Sequence, residues 1–248
     1  MCLFIRIEPL FWWCLLSYVI RIKSLSYRYP DQQIGLNGVD LTILPGEKVA
    51  LVGANGAGKS TLIHHLNGIL IGEGDVNILG MTVEKKNLKR IRGKVGVVFQ
   101  NPDDQLFSST VYEDVAYGPI YQGLNKQEVK KRVAEALSMV GMQDYIDRNS
   151  YYLSIGEKKR VSIATVLSMQ PEFLVMDEPT SGLDPRARRE LINLLQQLPQ
   201  TMLIATHDLD LVEKILPRTV IMYRGQVVVD GPTSQIIPDS NLLENYGL

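Results

Sequence analysis

The chain has 248 residues, with 26 Lys and Arg against 27 Asp and Glu, a formal net charge of −1. Its apolar share of 45% and charged share of 21% are those of an ordinary globular domain, and the length suits one large α/β domain or two small ones. The near-neutral charge supplies no basic field for general nucleic-acid binding, and the two cysteines, Cys2 and Cys14, exclude a disulfide scaffold or a CxxC metal or redox site.

The chain begins with an apolar segment, MCLFIRIEPLFWWCLLSYVI. Its densest stretch, Leu10 to Ile20, is about half the roughly 20 residues that a spanning helix needs. It lacks an A-x-A-like cleavage site, and a strand pattern follows at once. Residues 1–18 are therefore read as an apolar extension. A membrane-surface anchor using Trp12 and Trp13, or a true signal or anchor helix, are the alternatives. No other apolar run reaches spanning length.

From there the expected elements run in order. Residues 20–29 alternate apolar and polar, which predicts a strand. A turn rich in Pro, Asp, Gln and Gly leads to a second strand at 39–44, and Pro45-Gly46 makes the next turn. KVALVG at 48–53 is a buried strand that enters a glycine-rich loop, with a helix over 59–67 behind it. Strands follow at 76–79 and 94–99. From about 105 to 169 the pattern is helical, and residues 126–142 place Val129, Val133, Leu137 and Val140 on one face. Glu128 stands four residues before Arg132 and supports that helix. Strands at 172–176 and 201–206 then alternate with helices near 185–198 and 208–216, and a strand pair surrounds the Arg224-Gly225 turn. A β–α alternation with a helical insert predicts an α/β core carrying a helical subdomain.

Gly53-Ala54-Asn55-Gly56-Ala57-Gly58-Lys59-Ser60 fits the phosphate-loop pattern G-x-x-x-x-G-K-[ST]. Glycines let backbone N–H groups curl around phosphate oxygens with no Cβ in the way. The helix start behind them adds partial positive charge. Lys59 is of a length to reach β- and γ-phosphates, and the Ser60 hydroxyl suits Mg²⁺. Phe173-Leu174-Val175-Met176-Asp177-Glu178 is an apolar strand ending in two acids. Such an ending places carboxylates at the sheet edge where open α/β folds bind ligands. Asp177 suits the Mg²⁺ shell, and Glu178 suits orienting or deprotonating an attacking water. Of the histidines, His64 and His65 are helix neighbours that point about 100° apart, so they are poor co-ligands, and no protein-built transition-metal site is expected.

With these motifs in hand, residues 20–248 resemble an ATP-binding-cassette (ABC) ATPase: a P-loop NTPase core with an antiparallel β subdomain and a helical subdomain at about 105–169. The resemblance implies ATP and Mg²⁺ as cofactors, with ATP held by Tyr29, Gly53, Asn55, Gly56, Ala57, Gly58, Lys59, Ser60 and Thr61. Tyr29 takes the place of the aromatic that stacks on adenine. Gln100 matches the glutamine that senses Mg²⁺ and water, and His207 matches the switch histidine at the γ-phosphate. Glu178, His207, Gln100 and Lys59 are then the catalytic set; Ser60, Gln100 and Asp177 are the Mg²⁺ set. Leu153-Ser154-Ile155-Gly156-Glu157 resembles the family signature, which the opposite subunit supplies to the γ-phosphate. Ser154, Gly156 and Glu157 inherit that trans role, joined by Asp184 of the Ser181-Gly182-Leu183-Asp184 loop that links the two sites. The family's third signature residue is usually Gly, and here it is Ile155; Glu157 replaces the more frequent Gln.

The segments 100–107 (QNPDDQLF), 156–160 (GEKKR) and 205–211 (ATHDLDL) look more narrowly like the ATPases of energy-coupling-factor importers, particularly the cobalt/nickel type. That implies a second ATPase subunit, identical or paralogous, and two membrane partners: a transmembrane coupling protein, docked around 100–107, and a substrate-binding subunit. It implies peripheral attachment at the cytoplasmic face of the membrane, no nucleic-acid partner, and cobalt as cargo, with nickel or a vitamin behind it. The alternative is a non-transport ABC ATPase acting in DNA repair or translation. Those usually carry two cassettes or a long coiled coil, and this sequence has neither. A P-loop kinase or a non-enzymatic nucleotide-binding module would leave the signature segment and His207 unexplained.

Overall fold

The computed structural model describes residues 18–248. The apolar extension, with both cysteines and both tryptophans, lies outside the described residues except for Tyr18. The described chain begins with β1 (Ile20–Arg28), β2 (Ile34–Ile43) and β3 (Lys48–Val52), and then α1 (Lys59–Leu66). β4 (Glu73–Ile78), β5 (Met81–Thr82), α2 (Leu88–Arg92) and β6 (Val95–Val98) follow. Three longer helices come next: α3 (Val111–Tyr121), α4 (Lys126–Met139) and α5 (Ile155–Leu167). The chain then alternates through β7 (Phe173–Asp177), α6 (Pro185–Gln197), β8 (Thr201–Ala205) and α7 (Leu209–Ile215). It ends with β9 (Arg218–Tyr223), β10 (Gln226–Pro232), α8 (Thr233–Ile236) and α9 (Ser240–Asn245).

The strands form two sheets. One is antiparallel, in the order β2-β1-β4-β5. The other has the order β10-β9-β3-β8-β7-β6, parallel except for the antiparallel β9–β10 hairpin at its edge. Period-two alternation divides the side chains of the second sheet between two cores. Val49 and Leu51 of β3, Phe173 and Val175 of β7, and Leu203 of β8 face the antiparallel sheet and α1. Ala50 and Val52, Leu174 and Met176, and Met202 and Ile204 face the helices. The central strands are therefore apolar on both faces, as a covered parallel sheet requires.

The expected elements are present with shifted ends. The second strand begins five residues earlier than expected, at Ile34 rather than at 39. Gly35, Asn37 and Gly38 read as a turn in sequence, but pairing with β1 through irregular register carries them into the sheet. The 94–99 strand shortens to Val95–Val98. The helix over 126–142 ends at Met139, with Val129, Val133 and Leu137 buried and Glu128 paired to Arg132 at 3.0 Å. The helical stretch starts at Val111, because Thr110 caps α3 through a reciprocal hydrogen-bonded pair with Glu113. α5 is not separated from the core: a Cβ on Gly96 of β6 would meet Val166 Cγ1 at 2.0 Å, so helix and strand touch backbone to side chain.

Candidate functional site

β3 delivers its chain into the glycine loop under tight constraint. A Cβ on Gly53 would lie 2.4 Å from the Met222 carbonyl oxygen on the neighbouring β9, so only glycine fits. Gly58 stands at the start of α1 with φ 106°, a left-handed conformation that side chains resist. No side chain caps α1. Its first-turn amides carry the helix's partial positive charge with no protein side chain as acceptor. The Lys59 ammonium folds back over the loop and donates to the carbonyls of Gly53 (2.6 Å) and Ala54 (3.3 Å).

Asp177 ends β7 in register with Ala205 of β8, and Glu178 follows it. Burial pushes the Asp177 carboxyl up. The Ser60 hydroxyl, which hydrogen-bonds to it, and the Lys59 charge pull it down, while Glu178 adds repulsion. Glu178 has φ 46°, which costs a non-glycine residue about 1–2 kcal/mol. Its conformation is held at both peptide ends: its N–H donates to Ala205 O at 2.8 Å, and its carbonyl accepts from the Lys159 ammonium at 2.9 Å. Its carboxylate accepts from the Thr206 hydroxyl at 3.3 Å and meets the His207 Nδ1 at 2.8 Å. Glu178 is 6% exposed, whereas the His207 side chain is 67% exposed. A buried acid is thus met by an exposed imidazole at the edge of the sheet.

These groups enclose a cavity of about 270 Å³, lined by Gly35, residues 55–61, Gln100, Asp177, Glu178 and His207. The fold thereby brings together Asn55, Gly56, Ala57, Gly58, Lys59, Ser60, Thr61, Gln100, Asp177, Glu178 and His207 from four separate chain segments. Gly53 stands outside the lining, where β3 enters the loop. Tyr29 is not part of the lining; its hydroxyl hydrogen-bonds to Thr61 Oγ1 at 2.8 Å and its ring packs edge-on against Tyr27 at 5.1 Å. The cavity offers amide donors, an ammonium, a hydroxyl and carboxylates. That set can hold a polyphosphate, place a hard divalent cation and hold a water near an acid.

The second group of expected residues lies outside this lining. Ser154 caps α5: the Glu157 N–H donates to its hydroxyl at 3.4 Å, and the Glu157 carboxylate accepts from the Ser154 N–H and hydroxyl, both at 2.8 Å. Asp184 caps α6 by accepting from the amides of Arg186 and Ala187. The two helix starts pack together, since a Cβ on Gly156 would touch Ala187 Cβ at 3.3 Å. Ile155 reaches toward Gly182, its Cγ1 lying 4.0 Å from where a Cβ there would be, and stays 44% exposed.

The segment 100–107 is braced from the helical side. Gln105 donates to Ser162 O and Thr165 Oγ1 of α5, both at 2.8 Å, and accepts from the Phe99 N–H. Buried Asp114 accepts from the amides of Phe107 and Ser108 and from the Ser150 hydroxyl at 2.6 Å. These anchors leave Phe107 68% exposed, edge-on to exposed Tyr117 at 5.2 Å.

Sequence reasoning missed four groups. Gly35 enters the cavity wall from a strand read as a turn. Lys159, 4% exposed, donates to both Gln100 O (3.1 Å) and Glu178 O. Burial pulls its pKa down, against the charges of Glu178 and Asp177. Arg188 forks onto Asp208, the residue after His207, and Thr180 donates to the same carboxylate at 2.9 Å. The signal for Lys159 was a lysine three residues past the signature glycine, indistinguishable in sequence from Lys158 beside it, which pairs with Asp103.

Among the described residues there is no cluster of three or more His, Cys, Asp or Glu able to hold a metal, and no helix long and apolar enough to cross a membrane. Residues 36–181 match the family model described as ABC transporter. A Gloeobacter violaceus protein, provisionally named an ABC transporter ATP-binding protein, is 52% identical over 230 residues, covering 92% of this chain and 94% of that protein. The energy-coupling factor transporter ATP-binding protein EcfA of Methanothermobacter thermautotrophicus is 47% identical, over 93% of this chain and 76% of that one. Among solved structures, cbiO1 of Clostridium perfringens, part of the ABC transporter complex cbiONQ, superposes with a TM-score of 0.82 at 37% identity, covering 93% and 94% of the two chains. The MJ0796 ATP-binding cassette, a dimer in a post-hydrolysis state bound to ADP and Pi, superposes with a TM-score of 0.78 at 27% identity, covering 86% of this chain and 98% of that one. The chain belongs to the ABC transporter family, as one of its ATP-binding subunits and an ATPase.

Proposed function

We propose that this protein is the ATPase of an energy-coupling-factor importer, working as one of two such subunits beneath a transmembrane coupling protein and a substrate-binding membrane subunit. The observation that carries the hydrolytic reading is the convergence of Lys59, Ser60, Asp177, Glu178 and His207 on one cavity. The importer branch is supported by the likeness to EcfA and cbiO1. The dimer is supported by the MJ0796 cassette dimer, and by the position of Ser154, Gly156, Glu157 and Asp184 outside the cavity lining, where they are available to a partner's nucleotide.

In this reading the loop amides and Lys59 hold the β- and γ-phosphates, and Tyr29 borders the adenine through its contact with Thr61. Ser60, Asp177 and Gln100 are oxygen donors of the kind Mg²⁺ prefers, and all three line the cavity. Bound there, Mg²⁺ supplies neutralisation of charge on the phosphate oxygens. Glu178 orients the attacking water, and His207 steadies the developing charge. Ser154 and Gly156 close on the partner's γ-phosphate, so hydrolysis releases the dimer, a nucleotide-driven two-state switch. The exposed Phe107 and Tyr117 edge, held by Gln105 and Asp114, receives the coupling protein at the cytoplasmic face of the membrane. Cobalt is the proposed cargo, with nickel or a vitamin next. This rests on the residue resemblance at 100–107, 156–160 and 205–211.

The deciding experiment is the Glu178→Gln variant. It should bind ATP and hydrolyse it about 10²–10⁴-fold more slowly, the range for a lost general base, and it should form an ATP-stabilised dimer on size exclusion. Near-normal turnover removes Glu178 from its role. The importer reading is tested by co-expression with the neighbouring membrane genes: a detergent-stable complex and ATP-dependent uptake of ⁵⁷Co²⁺ into proteoliposomes support it.

A further inference from the structure

We propose that Lys159 is the positioning residue of the hydrolytic centre: its buried ammonium ties the peptides of Gln100 and Glu178 together, so that the water-orienting carboxylate is held in place only while α5 is docked on the sheet. The inference rests on the reading that Glu178 orients the attacking water.

The geometry begins at the sheet edge. β6 and β7 are parallel neighbours, and their last paired residues are Val98 and Met176. Beyond that pair the ladder stops, yet Gln100 and Glu178 both stand beyond it and both line the cavity. Backbone carbonyls at such a frayed edge need another donor. The Lys159 ammonium provides it, donating to Gln100 O at 3.1 Å and to Glu178 O at 2.9 Å. One side chain thus adds a rung to the sheet after the strands have ended.

Glu178 needs that rung more than an ordinary residue. Its φ of 46° lies in the left-handed region that side chains resist. One anchor comes from β8, through Ala205 O. The other comes from α5, through Lys159. If the second is lost, the peptide is free to relax, and the carboxylate leaves the direction in which Thr206 and His207 hold it. A buried ammonium is costly unless compensated. Here two carbonyls and the nearby charges of Asp177 and Glu178 compensate it. Lys159 also sits five residues from Ser154 on the same helix, so a shift of α5 moves the ammonium and the signature start together.

The test compares steady-state ATP hydrolysis by the full chain with Mg²⁺ for wild type, Lys159→Met, Lys159→Gln and Glu178→Gln. Lys159→Met keeps the length and removes the donor. It should lower kcat at least tenfold with KM for ATP within twofold, because the phosphate loop is untouched. Lys159→Gln, which restores an N–H donor without charge, should recover part of that loss; a structural void would give no such order. A kcat for Lys159→Met within twofold of wild type, alongside a dead Glu178→Gln, overturns this inference alone. Retained turnover in Glu178→Gln overturns the water-orienting role and this inference with it. If Lys159→Met does not fold, Lys159→Gln decides: a fall in kcat at constant KM supports the inference, and an unchanged kcat or a fall in nucleotide affinity of the same size overturns it.

Discussion

Two helix starts in this protein are read as phosphate sites, and they are built in opposite ways. α1 opens on a left-handed glycine with no side-chain cap, and its first residues line the cavity. α5 opens on Ser154 with a full capping box, in which the Glu157 carboxylate accepts from the Ser154 N–H and hydroxyl and the Ser154 hydroxyl accepts from the Glu157 N–H. The first site is therefore preorganised within the chain, and an external anion is its natural cap. At the second the Ser154 N–H and hydroxyl are held by an internal carboxylate, so in the proposed dimer a partner's phosphate competes with Glu157 for them.

The contrast can be broken most forcefully at the preorganised end. Lys59→Ala removes a charge-assisted donor, worth roughly 1.5–3 kcal/mol, so ATP affinity should fall about tenfold to a hundredfold in titration calorimetry. Unchanged affinity would mean that the loop does not hold phosphate. Gly58→Ala should lower stability by at least about 1–2 kcal/mol for the left-handed backbone alone. Its Cβ would also sit 2.7 Å from Gly35 O. Denaturant unfolding measures this, and a neutral result would show that the glycine is not required.

At the capped end the effects should be smaller and of a different kind. Ser154→Ala loses an N-cap, about 1 kcal/mol of stability, with nucleotide binding by the isolated subunit unaltered. A loss of monomer binding instead would place Ser154 in its own chain's site. Glu157→Gln is the subtlest. Burial alone would raise the Glu157 carboxyl, but hydrogen bonds from Ser154 and Tyr145 hold it below its ordinary 4.5. A depressed folded-state value adds stability above the unfolded value, and this is lost as pH falls through the folded one. The melting-temperature gap between wild type and Glu157→Gln should therefore be constant near neutrality and close below about pH 4.5. A gap that persists at lower pH would remove the charge from the cap.

Much of the first site was legible in the sequence, because its parts are short and local. A glycine loop behind an apolar strand and a pair of acids ending another strand carry their own physical reasons, and the structure brings both to one cavity. Local pattern also misled. Gly35, Asn37 and Gly38 looked like a turn, and pairing with β1 made them strand. Tyr29, expected at the adenine, also has contacts that its sequence position does not announce, a hydrogen bond to Thr61 and an edge-on ring against Tyr27. Ile155 could have crowded a phosphate or turned away; it leans toward Gly182.

The sequence alone determined the α/β alternation, the apolar faces of the central strands, the glycine loop behind its strand, and the acids at the strand end. Those depend on period, side-chain size and charge, which are properties of neighbours along the chain. Only the tertiary structure decided that Lys159 is buried and Lys158 is not, and that Asp208 collects Arg188 and Thr180. Those depend on which distant backbone carbonyl or carboxylate comes within 3 Å, and chain order carries no record of that distance.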